Sequence, residues 1–117
     1  MQRGQPDEAM RGYQALAVAL AQVGLLFDAV RELEEGIDVA SQGADPEVSD
    51  RPLLWQLLLA QSSLYLRLHL PEQARIRAAQ AVRQAGTVGD ADGGLQGRRV
   101  LATLEGGELE SATASRN

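Results

Sequence analysis

No cysteine occurs among the 117 residues. That excludes a disulfide framework and a thiolate metal site. A single histidine, His69, is too few for a histidine-cluster metal site within one chain. Lysine is missing altogether, so all 11 basic residues are arginine, which we read as codon bias in a GC-rich genome rather than as chemistry. Aromatic residues make up only 3% of a chain that is 44% hydrophobic. The core must therefore be built from Leu, Val and Ala, which suits closely packed helices. An uninterrupted apolar run is also missing. The leucine-rich stretch 53–70 is broken by Gln56, Gln61, Ser62, Ser63, Arg67 and His69, so it reads as a buried helix and not as a membrane span. The opening residues MQRGQPDEAM are polar where a secretory signal needs an apolar segment, and a cytoplasmic protein is expected.

Chemistry-bearing motifs are equally scarce. Neither GxxxxGK[ST] nor a strand-borne GxGxxG is present, leaving nucleotide phosphates without a cradle. His69 has no local Ser or Asp partner for a triad and reads as a turn residue. Glu32, Glu34, Glu35 and Asp38 form a solvated acidic helix face rather than a cation site. The segment GDADGG at 89–94 lacks the spaced oxygen ligands and closing Glu of a calcium loop. Arg75, Arg77, Arg83, Arg98 and Arg99 have no interleaved aromatics and sit in a chain of net charge −5, which argues against nucleic-acid binding. No enzyme, no cofactor and no metal is expected. The charge is uneven, however. Residues 1–50 carry a net −7 and residues 51–117 a net +2, a polarity that can orient a charged partner or favour head-to-tail self-contact.

What is present is helical periodicity. Pro6, Asp7 and Glu8 suit a helix N-terminus, and Met10, Tyr13, Leu16, Ala17, Leu20 and Val23 recur at steps of three and four. Gly24 is a candidate left-handed cap. A second helix is expected over 26–41, with Leu26, Ala29, Val30, Leu33, Ile37 and Ala40 inward. Gly36 in its middle costs about 1 kcal/mol relative to Ala, so a close helix crossing is expected there. Residues 42–51 read as a loop in which Asp50 caps a third helix over 52–68. That helix is apolar on more than one face, so it should be central, with Trp55 and its surplus leucines available to an interface. A fourth helix over 71–85 should turn Ala74, Ala78, Ala81 and Val82 inward and Arg75, Arg77 and Arg83 outward. Gly86 should close it. Residues 87–94 read as a flexible linker, 95–104 as a short fifth helix faced by Leu95, Val100, Leu101 and Leu104, and 105–117 as a disordered tail.

Two stretches share one template at a spacing of 45 residues. Tyr13, Leu16, Ala17, Leu20, Val23, Gly24, Ala29, Leu33, Gly36 and Ile37 correspond to Leu58, Gln61, Ser62, Tyr65, Leu68, His69, Ala74, Ala78, Ala81 and Val82. An internal repeat fixes architecture before any single residue is interpreted. Residues 6–86 resemble the tetratricopeptide repeat in this pattern. There a large residue, a Leu, a small residue and a Tyr mark helix A, a Gly marks the turn, and an Ala, an aromatic and a second Ala mark helix B. Gln61 departs from it in place of Leu, as do Leu33 and Ala78 in place of an aromatic and His69 in place of Gly. The 45-residue period exceeds the usual 34 and resembles the extended variants of bacterial regulators and of motor and signalling adaptors. The segment RGQPDEAMRGY (Gly4, Ala9, Tyr13) also mimics the start of a helix B. The phase above is preferred because LHLPEQA fits the tight turn within a repeat.

The resemblance implies an all-α fold, an α-solenoid of two antiparallel helix pairs (6–41 and 52–86) closed by a short capping helix. It further implies a concave groove lined by helix A positions. Carried over by spacing, these are Arg11, Gln14, Val18, Ala21 and Gln22 in the first repeat and Gln56, Leu59, Ser63, Leu66 and Arg67 in the second. The Lys and Asn of the family's carboxylate clamp are absent. A mixed apolar and amide groove suits an extended or helical peptide. The expected function is a non-catalytic scaffold or adaptor that binds a protein or peptide. The competing expectation is a dimerising or sensor segment of a larger bacterial signalling or transcription-regulatory protein. Two repeats are few for a continuous core, which leaves room for a homo-oligomer.

Overall fold

The computed structural model describes the backbone of residues 5–41 and 53–116, and the side chains of 8–41 and 53–104. These residues form five helices: α1 (Gln5–Gln22), α2 (Leu26–Ser41), α3 (Leu54–Arg67), α4 (Pro71–Thr87) and α5 (Ala91–Arg116). No strand occurs among them. Each helix packs on the next in sequence, and α3 additionally touches α1 and α5. The 42–51 loop and the Asp50 cap expected there lie outside the described residues. At the described start of α3, Leu53 occupies the N-cap without a side-chain bond.

Three helix ends are built alike. After α1, the Leu25 amide donates to Leu20 carbonyl oxygen at 2.9 Å and the Gly24 amide to Ala21 at 3.1 Å. After α3, Leu70 donates to Tyr65 at 2.8 Å and His69 to Leu66 at 3.0 Å. After α4, Asp90 donates to Ala85 at 2.8 Å and Gly89 to Gly86 at 3.2 Å. Both bonds of a Schellman motif are present each time. The left-handed residue is Gly24 (φ 88°), His69 (φ 60°) or Gly89 (φ 73°). The first two lie 45 residues apart, as the template requires. The third corrects the sequence reading: Gly86 stays inside α4, Gly89 makes the turn, and α5 begins at Ala91. The expected 87–94 linker is thus the end of one helix, a tight turn and the start of another. The helix also continues past 104, through the stretch read as a disordered tail.

The core runs through α1–α4, with Met10, Ala17, Leu33, Ile37, Leu54, Trp55, Leu57, Leu58 and Leu64 as members. Ala17 with Ala29 and Ser62 with Ala74 are buried as equivalent small pairs, and Ser62 Oγ donates to the Ala74 carbonyl at 2.7 Å. Gly36 is needed for the reason its position suggested. A Cβ there would stand 3.0 Å from Tyr13 Cβ and 3.3 Å from Leu57 Cδ1, between α1 and α3.

Three burial expectations are overturned. Leu16 (47% exposed) and Val23 (72%) face solvent, because among the described helices α1 ends the packing order and is covered by α2 and a little of α3. Leu95 on α5 is 47% exposed as well. Trp55 is only 6% exposed, because α5 lies over it, so it is not available to a partner.

Candidate functional site

The expected groove residues sit on α1 and α3, two helices that touch each other. Arg11, Val18, Gln22, Ser63 and Arg67 are exposed, while Gln14, Ala21, Gln56, Leu59 and Leu66 are half-buried. Ala21 and Leu59 pack against the margin of the core. On α1 the steps from Arg11 to Gln14, Val18 and Gln22 keep to one helix face. As a set these residues are amide-rich, with Val18, Ala21, Leu59 and Leu66 as the apolar members. Surface hollows among the described residues open elsewhere. One of about 330 Å³ lies at the α4–α5 turn around Gly89 and Arg98. Another of about 300 Å³ is lined by Tyr65, Gln73, Ile76, Arg77 and Gln80. The third, of about 350 Å³, is lined by Ala9, Gly12, Tyr13, Leu16 and Glu32.

A polar junction of α2, α3 and α4 was not legible in the sequence. Gln61 is fully buried. Its Nε2 donates to the Val30 carbonyl at 3.1 Å and to Glu34 Oε2 at 2.8 Å. Arg77 donates to the same Glu34 oxygen at 2.6 Å and to Gln80 Oε1 at 2.8 Å. Arg77, expected to point outward, is instead the bridge from α4 back to α2, with its side chain only 15% exposed. Beside it, burial raises the pKa of the Tyr65 hydroxyl above its usual value. Glu34 adds to the rise and Arg77 opposes it. The available signal was Gln61 itself, an amide where the template has Leu. A buried amide needs partners, and those partners had to come from adjacent helices. Gln61 Oε1 finds none.

A second missed arrangement fixes α5. Asp90 Oδ1 accepts the Gly93 amide at 2.9 Å as the N-cap of that helix. Its other oxygen accepts the Trp55 indole N–H at 2.9 Å. A Cβ on Gly93 would lie 2.7 Å from Trp55 Cε2, so this glycine lets the indole lie directly on the helix backbone. The GDADGG segment is therefore a turn, a cap and a contact surface. Among the described residues no three His, Asp or Glu side chains are grouped to hold a metal ion, and no helix is long and apolar enough to cross a membrane.

No protein-family model matches the chain, and no curated protein or solved structure matches it either. The functional reading therefore rests on the residues alone.

Proposed function

We propose that the chain is a tetratricopeptide-like helical repeat module that catalyses nothing and binds a peptide or protein partner across α1 and α3. What supports this reading is the set of side chains that the template carries over to α1 and α3. It presents Val18 and Leu66 among amides and arginines (Gln14, Gln22, Gln56, Arg11, Arg67) on two helices in contact. The template supports it from below. The buried small pairs Ala17–Ala29 and Ser62–Ala74, and the matched turns at Gly24 and His69, are what a repeated helix pair needs for close crossing. Apolar spots framed by amides suit a ligand that presents both side chains and unpaired backbone groups, as extended peptides do.

The test is selection of peptides from a random phage-displayed library on the immobilised chain, followed by calorimetry with the enriched sequences. Binding should fall about tenfold or more in Leu66→Glu, a loss of 1.4 kcal/mol or greater. Failure to enrich any sequence, or enriched peptides indifferent to both Leu66→Glu and Val18→Glu, would sink the reading. The second reading, a segment that associates with itself, is favoured by the apolar end of the molecule at Leu16 and Val23.

A further inference from the structure

The internal repeat allows one end of the molecule to be compared with a joint in its middle. Where α3 meets α2, the contact is made by Leu57 against Gly36 and by Gln61 against Val30 and Glu34. Arg77 on α4 reaches back to Glu34. Forty-five residues earlier, the same template places are Gly12, Leu16 and Glu32. These three line one hollow of about 350 Å³, together with Ala9 and Tyr13. That hollow is thus the counterpart of the α2–α3 joint, with no described helix lying on it.

The chemistry at the counterpart is changed in two ways. Gln61, which needs polar partners, is replaced by Leu16, which needs apolar ones. Arg77, which seeks an acid, is replaced by Glu32, which seeks a base. The helix that fits has an apolar residue flanked by arginines or lysines on one face. Among the described residues, α5 shows that pattern uncovered. On α5, Leu95, Arg98 and Arg99 stand at i, i+3 and i+4, and all are exposed. α1 and α5 lie at opposite ends of the packing order. Among the described side chains, residues 8–41 carry six acids and two arginines, net −4, and residues 53–104 six arginines and three acids, net +3, so opposite charges face each other when copies meet end to end.

We propose that the chain associates head to tail, the α1–α2 end of one copy receiving the Leu95–Arg98–Arg99 face of α5 from the next. The two surfaces differ, so the contact is heterologous and is not limited to a dimer unless the rotation closes a ring.

Light scattering coupled to chromatography tests this, with the full chain at rising concentration. Wild type should show an average mass that grows with concentration and falls back at high salt, because part of the attraction is ionic. Leu16→Glu blocks one end and Leu95→Glu the other. Glu32→Arg and Arg98→Glu are milder versions that keep the apolar residues, and circular dichroism checks that each variant is helical. Each folded variant should be monomeric at concentrations where wild type assembles. An equimolar mixture of Leu16→Glu with Leu95→Glu should give a 1:1 dimer and nothing larger, since each supplies the one intact end the other lacks. Three outcomes overturn the proposal: wild type monomeric to about 1 mM, a weak affinity limit; a mixture that stays monomeric; or a symmetric dimer lost in Leu16→Glu but kept in Leu95→Glu. The last would mean that the α1 end pairs with itself. Capture of a synthetic Leu/Arg amphipathic helix by a wild type that stays monomeric would likewise assign this end to a foreign partner.

Discussion

Replacing Asp90 with alanine should loosen α5 by an amount that can be worked out from two hydrogen bonds. Asp90 holds the Gly93 amide with one carboxylate oxygen and the Trp55 indole with the other, both at 2.9 Å. Loss of an N-cap acceptor costs about 1 kcal/mol. A buried N–H left without an acceptor costs about 1–3 kcal/mol. Trp55 is 6% exposed, but Asp90 itself is only half-buried, so water reaches the vacated site and the lower end applies. The expected total is about 2 kcal/mol, which for a urea slope of about 1.5 kcal/mol/M lowers the midpoint by somewhat more than 1 M. The chain has one tryptophan, so its emission reports α5 docking while circular dichroism reports all five helices. Asp90→Asn keeps an oxygen for the Gly93 amide but turns an N–H toward the indole, and should cost about 1 kcal/mol. A double-mutant cycle removes the remaining ambiguity. In a Trp55→Phe background, read by circular dichroism, Asp90→Ala should cost only the cap. A full Asp90→Ala effect within about 0.5 kcal/mol of wild type, the range of ordinary surface substitutions, would refute this account.

His69 holds φ 60° where its two counterparts are glycine, so His69→Gly should stabilise the chain by about 0.5–1 kcal/mol in thermal or urea melts, whereas Gly24→Ala should destabilise it. A Cβ on Gly97 would lie 2.5 Å from Val82 Cγ2. Gly97→Ala should therefore cost about 1–3 kcal/mol by overpacking and become neutral or stabilising in a Val82→Ala background, where the better helix former is no longer opposed; stabilisation of the wild type by Gly97→Ala would contradict the close approach. Tyr65 has a raised pKa because of burial and Glu34, so the unfolded chain gives up this proton first as pH rises. The stability tied to the neutral hydroxyl is complete below the ordinary tyrosine pKa of about 10 and is lost as pH climbs through the folded value. Urea melts across this range should show a steeper alkaline loss for wild type than for Tyr65→Phe; equal slopes would exclude the linkage.

The parts of the fold legible in the sequence are those set by local chemistry. The bounds of α2, the left-handed turn at Gly24, the small residues at the pair crossings and the crowding at Gly36 all depend on backbone geometry that one residue type satisfies best. The parts that escaped depend on residues far along the chain. Gly86, Gly89, Gly93, Gly94 and Gly97 look alike in sequence, and the stretch 87–94 reads as a linker. Gly89 supplies a left-handed turn, Gly93 makes room for an indole 38 residues earlier, and Gly97 makes room for Val82. Periodicity likewise placed Leu16 and Val23 on an apolar face without telling whether anything covers it. The candidate groove was legible only as spacing, and the structure adds that five of its residues are exposed, five are half-buried, and α1 touches α3.

The departures from the template then acquire a meaning. Within a pair, two backbones approach closely, and only small residues satisfy that constraint, so Ala17–Ala29 and Ser62–Ala74 match. Between pairs, side chains meet side chains, and any complementary set serves. Gln61 in place of Leu, and Arg77 turned inward, belong to this second kind of contact. They are the means by which α3 and α4 select α2 as their neighbour, since a buried amide and a half-buried guanidinium left without Glu34 would each be costly. At the first pair the situation is reversed. Leu16 and Glu32 occupy the neighbour-selecting places but select nothing within the described chain. A helix pair whose joint residues are apolar and acidic, where those of the other pair are amide and basic, cannot be joined by the same kind of helix. Its complement must carry the reverse pattern, and in this chain Leu95, Arg98 and Arg99 carry it.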